Sequence, residues 1–214
     1  MATIEYTTDH LQTGDILLFK GSGWTSWLVE KLGKSPFSHC GMILKDPTYI
    51  RPDLKGLYLL QSGLGLPSDV NGQVRSGVQL NKLEEDLKTY NPGEVFVRHL
   101  TTIRDERFYR IITSVYDEHN KDPYDSNLVD WIEAKLMLDD GWKTAYCIFP
   151  WNNVKRDHSF WCSAFLAFIF CRLGLLDDSN LPYTLISPKD WSSSGSELKF
   201  KACKLDSEAE LQVK

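Results

Sequence analysis

A histidine and a cysteine stand side by side in FSHCGMIL, residues 37–44, an apolar run that predicts a β-strand. Successive side chains of a strand point to opposite faces, so His39 and Cys40 cannot share one pocket. A chemical role for His39 therefore requires a partner from elsewhere in the chain. Nothing in the sequence around Cys40 indicates a helix N-terminus or a catalytic partner. Cys40 is therefore predicted to be structural and to point into the opposite layer.

A second cysteine lies near the start of an apolar segment, SFWCSAFLAFIFCRLG, which predicts a buried helix ending at Gly174. Ser159 is a favourable N-cap residue, which puts Cys162 at the third helical position. The positive end of a helix dipole, with a histidine nearby, lowers a thiol pKa from about 8.5 to roughly 3.5–7.5. The free N–H groups there can also receive an oxyanion. Cys162 is thus the candidate nucleophile; the alternative is a small buried apolar residue.

The other cysteines carry no such signal. Cys171 lies at the far end of the same predicted helix, where the dipole opposes a thiolate. The five cysteines are odd in number and include no C-x-x-C pair, so the sequence indicates neither a disulfide framework nor a zinc site. All five are predicted to be free thiols.

His39 as a base needs room and an orienting partner. Gly41 lies on the same face of the predicted strand as His39 and has no side chain to cover that face. A substrate or a helix N-terminus therefore has space to approach the imidazole. Gln61 ends the next predicted strand, and its carbonyl oxygen can accept from one ring nitrogen if the two strands pair. The alternatives are a hydrogen-bonded core or rim histidine and a strand-end glutamine facing water.

The elements that must position these residues predict an α+β fold, with an antiparallel sheet packed against helices and the nucleophile helix across it. The predicted strands span residues 16–19, 37–44, 56–61, 77–80, 95–100 and 197–203. Helical patterns cover residues 24–32, 83–87, 108–115 and 128–136. A Gly-, Pro- and Ser-rich loop, residues 63–77, is expected to border the cleft. Residues 1–205 are predicted to form one domain, and residues 206–214 a flexible tail.

Composition excludes several function classes. The chain has 214 residues, a net charge of −5 and no basic stripe, so nucleic acid is not an expected ligand. The longest apolar stretch, from Phe160 to Cys171, is shorter than the about 20 residues that span a bilayer. The N-terminus lacks the pattern of a secretory signal. We therefore expect an intracellular, cytoplasmic protein; the sequence leaves its oligomeric state open.

Several short motifs follow one another along the chain in a recognisable order. They are G-D before an apolar strand at Gly14, S-P-F-S-H-x-G at residues 35–41, G-V-Q-L at residues 77–80, and W-C-S followed by R-L-G-L-L near Cys162. Together they resemble the circularly permuted NlpC-type papain-like fold, including YiiX-like and poxviral members and, more distantly, the lecithin:retinol acyltransferase group. In the permuted group the histidine precedes the cysteine, as His39 does here.

The resemblance implies that Cys162 is the nucleophile and His39 the base, with Gln61 where relatives commonly carry Glu or His. The implied reaction is attack of the thiolate on an amide or ester carbonyl, with no metal or cofactor required. A neutral amide orients an imidazole, but it stabilises imidazolium less than a carboxylate does.

Three functions remain open on this sequence. The first is a cysteine hydrolase acting on a peptide or another amide. The second is a lipid acyl hydrolase or acyltransferase, for which Trp24 and Trp27 form a lipid-facing ledge, although tryptophans at this spacing also suit a core. The third is a binding module that keeps the fold without turnover.

Overall fold

The structure is a computed structural model that describes residues 7–21, 36–124, 160–177, 179, 186–195 and 198–212. The strands are β1 Ile16–Phe19, β2 His39–Lys45, β3 Leu57–Gly63, β4 Gly77–Lys82, β5 Val95–Arg98, β6 Leu100–Thr101, β7 Lys204–Leu205 and β8 Ala209–Glu210. The helices are α1 Leu83–Leu87, α2 Glu106–His119 and α3 Cys162–Arg172, with a 3-10 helix at Pro188–Trp191. The predictions for the helices at residues 24–32 and 128–136, the tryptophan ledge, Cys147 and Ser159 lie outside the described residues.

Six of the strands form one sheet in the order β4-β3-β2-β1-β5-β8, and every neighbouring pair is antiparallel. β6 and β7 form a separate two-stranded sheet. The α+β class with a large antiparallel sheet is therefore confirmed. Because β2 lies between β3 and β1, the strand that carries His39 is held on both sides by ladder hydrogen bonds.

The two faces of the six-stranded sheet support two separate apolar layers. Leu18, Cys40 and Met42 lie on the face that packs against α3, which we call the helix face. Phe19 and Ile43 point the other way, into a smaller layer that is completed by α1. This second face also carries His39, which pairs with Phe19 in the β1–β2 register, and we call it the His39 face.

Helix α3 is apolar around its whole circumference, so it has to be enclosed on all sides. Its first nine residues are all buried. Three hydrogen bonds fix its N-terminal end: Ser62 Oγ donates to Phe160 O at 2.6 Å, Ser163 Oγ donates to Ile186 O at 2.7 Å, and Trp191 Nε1 donates to Ser163 O at 3.2 Å. The position of Cys162 is therefore set jointly by β3 and by the segment that leads into the 3-10 helix.

The helix begins later than predicted. Its N-cap residue is Trp161, not Ser159, and Cys162 is the first helical residue instead of the third. Phe160 forms a parallel β-bridge with Tyr124, and Trp161 is still extended, with φ −86° and ψ 169°. The chain therefore cannot turn into a helix before Cys162. The side chain of Trp161 makes no capping hydrogen bond to the N–H groups of the first turn.

The C-terminal segment also departs from its prediction as a flexible tail. Residues Ala209–Glu210 form β8 at the edge of the large sheet, where Ala209 pairs with Val97. Leu211 is 1% exposed and packs in the layer on the His39 face. Burial of this one apolar side chain and the ladder hydrogen bonds hold the segment to the sheet. The assignment of residues 1–205 to a single domain stays a prediction.

Within the described ranges, none of the helices has the length and apolar character that crossing a membrane requires.

Candidate active site

His39 is the first residue of β2, and its imidazole reaches the amide of Gln61 on the neighbouring strand. Gln61 Oε1 accepts a hydrogen bond from His39 Nε2 at 2.6 Å. The ring of His39 also lies 5.6 Å from that of Phe19, measured between centroids. Gln61 is only 1% exposed. It therefore faces the imidazole, and the alternative reading of Gln61 as a strand-end residue facing water is wrong.

The orientation of the Gln61 amide is determined by two acceptors on its other side. Gln61 Nε2 donates to Asn81 Oδ1 at 3.0 Å and to Asp86 Oδ1 at 2.9 Å. Both N–H bonds of the amide are thus used. A rotated amide would turn its oxygen towards two other oxygens, so only Oε1 is able to face His39.

Asn81 is itself oriented by the loop after β3. Its Nδ2 donates to the carbonyl oxygens of Pro67 and Ser68, at 2.9 and 3.2 Å. Because Nδ2 faces these carbonyls, Oδ1 faces Gln61. The loop at residues 63–77 therefore lies beside the site, as predicted, and its backbone helps to set the orientation of the polar groups behind the imidazole.

This chain of hydrogen bonds determines the tautomer of His39. An amide oxygen only accepts, so Nε2 of His39 carries a proton in both the neutral and the charged ring. The other nitrogen, Nδ1, is then the acceptor that remains for the thiol of Cys162, whose charge interacts favourably with that of the imidazole. The arrangement is that of a base whose acceptor nitrogen faces a thiol.

Cys162 and His39 favour a thiolate and an imidazolium. The thiol of Cys40 donates to the sulfur of Cys162, and this contact, together with the imidazole of His39 and the backbone N–H of Cys40, holds the pKa of Cys162 well below its ordinary value despite burial. Burial disfavours a charged His39, but the negative sulfur of Cys162 and the hydrogen bonds that the charged ring donates to Cys162 and Gln61 outweigh it, so the pKa of His39 is raised. The lowered pKa of Cys162 and the raised pKa of His39 both favour the thiolate–imidazolium ion pair.

The prediction that Cys40 is a bystander is wrong. Strand alternation does send its side chain to the opposite face from His39, as expected, but that face is the one covered by α3. The thiol of Cys40 therefore meets the thiol of Cys162. Burial, together with this contact, raises the pKa of Cys40 well above its ordinary value, so Cys40 keeps its proton and acts as the donor.

The predicted packing of the nucleophile helix is also corrected. We expected its N-terminus to cross the face that carries His39, Gly41 and Gln61, and these three residues do share a face. Helix α3 packs on the opposite one, because the continuous apolar layer that receives it lies there. Cys162 still reaches His39, because His39 begins its strand and Cys162 begins its helix, so the two meet at the end of β2.

Gly41 has a different role from the predicted one. A Cβ at this position would lie 2.9 Å from Leu59 Cδ1 and 3.2 Å from the Cβ of Gln61, both closer than ordinary contacts. The space beside His39 is therefore filled by side chains of β3, and it is not left open for a substrate. Glycine is required at residue 41 because Gln61 has to come close enough to reach the imidazole.

Asp86 and Asn81 are site residues that the sequence analysis missed. Asp86 is 4% exposed. Burial raises its pKa to about 6, although the hydrogen bond from Gln61 and the charge of His39 act in the opposite direction. Its Oδ2 atom is buried and has no hydrogen-bond partner among the described residues.

A signal for Asp86 is present in the sequence. Leu83, Asp86 and Leu87 recur at i, i+3 and i+4, which puts the carboxylate on the apolar, buried face of α1. Asn81 likewise falls in the alternating pattern of β4, on the face opposite to Leu80. A charged residue inside an apolar stripe indicates a buried partner.

In the part of the chain that the structure describes, no group of three or more His, Cys, Asp or Glu side chains is placed to hold a metal ion.

The architecture, a large antiparallel sheet with few helices, is also seen in a solved structure. That structure is the metalloprotein YiiX (DUF1105) from Escherichia coli O157:H7; it is 15% identical in sequence, and the match covers 90% of this chain and 97% of YiiX with a TM-score of 0.52. At this identity the likeness shows the fold alone. No family model and no curated protein matches the chain.

Proposed function

We propose that the chain is a cysteine hydrolase of the permuted papain-like type that cleaves an amide or ester bond. One observation carries the proposal: the imidazole of His39 is hydrogen-bonded to Gln61 and interacts with the Cys162 sulfur, which lowers the thiol pKa and raises the imidazole pKa. A buried cysteine that served only packing would have a raised pKa instead. The YiiX-like fold supports the same class.

The proposed reaction has two steps. The thiolate of Cys162 attacks the substrate carbonyl, and the new C–S bond forms while the N–H groups at the start of α3 receive the oxyanion. The imidazolium of His39 gives its Nδ1 proton to the leaving nitrogen or oxygen as the C–N or C–O bond breaks. Neutral His39 then takes a proton from water, which attacks the thioester, and the C–S bond breaks.

The substrate class is proposed to be a peptide or another amide, with lipid esters as the second candidate. The loop at residues 63–77 adjoins the site through Asn81, which supports its predicted role in selectivity. Acyl transfer to a second acceptor in place of water follows the same chemistry. The tryptophan ledge that favoured lipids falls outside the described residues, and among the described residues no contact bears on the lipid alternative.

The experiment is capture of the covalent intermediate. Purified protein is incubated with panels of p-nitroanilide peptides, acyl amides and short-chain phospholipids, and intact mass is recorded after an acid quench. We expect a mass increase equal to the acyl group, mapped to Cys162 and absent from Cys162→Ala. Cys171→Ala is the matched control, because Cys171 lies on the same helix, and it should acylate normally. Acylation that persists in Cys162→Ala would overturn the proposal, and binding without acylation of any substrate would favour the binding module.

A further inference from the structure

Asp86 lies one hydrogen bond behind Gln61 and has no other side-chain partner among the described residues. A buried carboxylate is costly unless it is paired or hydrogen-bonded. Among the described residues, the Asp86 carboxylate accepts a side-chain hydrogen bond from Gln61 alone, at 2.9 Å, and no Lys or Arg forms an ion pair with it. The fold therefore keeps a charge in the layer on the His39 face without a structural cation to hold it there.

The cation available to Asp86 is the imidazolium of His39. Each group influences the other: the charge of Asp86 helps to raise the pKa of His39, and the charge of His39 opposes the burial that raises the pKa of Asp86. The other titratable groups that face this pair in the described structure are Cys162, Cys40, Tyr90 and Glu85. None of these is a cation, so the positive charge of His39 is the counter-charge of Asp86.

We propose that Asp86 is a positioning residue for His39 that acts through Gln61: its carboxylate orients the amide, and through it supplies the negative charge that a neutral glutamine lacks. The proposal rests on the proposed function, because it assigns a task within the same site. Gln61 donates both N–H bonds to oxygens, which polarises its carbonyl towards His39. The Asp86 carboxylate then acts on His39 through the amide of Gln61 and does not contact the imidazole directly.

The test measures how the reactivity of Cys162 depends on pH. Iodoacetamide labelling is followed by peptide mapping from pH 4 to pH 9 in the parent chain and in Asp86→Asn, which retains an acceptor for the Gln61 N–H but loses the charge. We expect Asp86→Asn to move the rise in labelling to higher pH and to slow labelling at pH 6 by about tenfold, as one pKa unit requires.

Two variants serve as controls. Asp15→Asn is matched, since Asp15 is a buried carboxylate that accepts from His99 and from the backbone N–H of Leu100, at the end of β1 away from His39; it should leave the profile unchanged. Gln61→Glu combined with Asp86→Asn moves the carboxylate next to His39, and this double variant should restore the parent profile, which a merely structural role for Asp86 does not predict.

The outcomes separate the two proposals. If Cys162 of the parent labels like Cys203, as an ordinary thiol, the proposed function fails. If Cys162 is activated in the parent but Asp86→Asn gives a superimposable profile, only the role of Asp86 is overturned. Should Asp86→Asn fail to fold, the double variant carries the test, and a profile displaced as far as that of Gln61→Leu would overturn the proposal.

Discussion

The side-chain oxygen of Gln61 lies 2.6 Å from His39 Nε2, and this contact determines which ring nitrogen faces the nucleophile. The acceptor oxygen holds a proton on Nε2 at every pH at which the protein is folded. In the proposed mechanism Nδ1 is therefore the atom that exchanges a proton with Cys162. The direction of proton transfer follows from the orientation of an uncharged amide.

Replacing His39 with Ala should raise the pKa of Cys162, because the imidazolium is one of the groups that lower it. The reaction of Cys162 with iodoacetamide at pH 6 should fall by at least tenfold, which one pKa unit produces. Labelling rates measured by peptide mapping check this, with Cys171 in the same sample as the reference thiol. Equal rates at Cys162 and Cys171 in the folded parent would remove the nucleophile assignment.

Gln61 should tolerate Glu better than Leu. Leu offers no acceptor for the Nε2 proton of His39 and leaves Asn81 and Asp86 without their donor, whereas Glu accepts from His39 directly. We expect Gln61→Leu to stay folded by circular dichroism and to lose acylation by roughly 10²-fold, within the range that loss of general acid–base help costs. Parent-like acylation in Gln61→Leu would mean that the amide does not orient the base.

Cys40→Ala should raise the pKa of Cys162 while leaving His39 in place. The Cys40 thiol donates to the Cys162 sulfur, and a hydrogen bond worth roughly 0.5–1.5 kcal/mol corresponds to about one pKa unit or less. The pH at half-maximal labelling measures the shift. Cys203→Ala, which removes a thiol outside the site, is the control and should not move it; an unchanged midpoint in Cys40→Ala would show that the thiol contact is not used.

Asp86→Asn should gain stability relative to the parent as pH rises. The folded pKa of Asp86, about 6, is above the unfolded value of about 4, so the unfolded chain binds fewer protons between these values and the parent loses stability with rising pH. The loss is complete above pH 6 and amounts to roughly 3 kcal/mol, from about two pKa units at 1.36 kcal/mol each.

Urea unfolding of both proteins at pH 4 and pH 8 measures this change, because differences that do not depend on pH cancel. At pH 8, Asp86→Asn should have a higher free energy of unfolding relative to the parent than it has at pH 4, although its Cys162 is less reactive. An advantage of Asp86→Asn that is the same at both pH values would contradict the raised pKa.

The strands were predictable because their signals are local. β1 has the predicted bounds, and those of β2 and β3 lie within two residues of the prediction, since apolar runs and turn residues determine both. The strand predicted at residues 197–203 is wrong: among its described residues only Phe200 forms a bridge, with Leu176, and β7 begins at Lys204. His39, Gln61 and Cys162 were found from residue type, position in an element and resemblance. Their joint placement in one site required the pairing of β2 with β3, which alternation suggests but does not determine.

The predictions that were wrong concern how the helices and the sheet pack on one another. Alternation correctly separated His39 from Cys40, but it gave no information on which face would receive α3, because both faces of the sheet carry apolar residues. The start of α3 was missed because the Tyr124–Phe160 bridge, a contact between distant segments, keeps Phe160 extended. Asp86 was missed because its partner comes from another strand.

The hydrogen bond from Ser62 to the carbonyl of Phe160 joins the half of the chain that carries His39, the proposed base, to the half that carries Cys162, the proposed nucleophile. During synthesis the segment with Cys162 emerges long after β2 and β3, and contacts between such distant segments form late in folding. Until they form, Cys162 is an ordinary thiol with a pKa of about 8.5 and is mostly protonated at neutral pH. The nascent chain thus carries no activated sulfur, and thiol reactivity is itself a measure of completed folding.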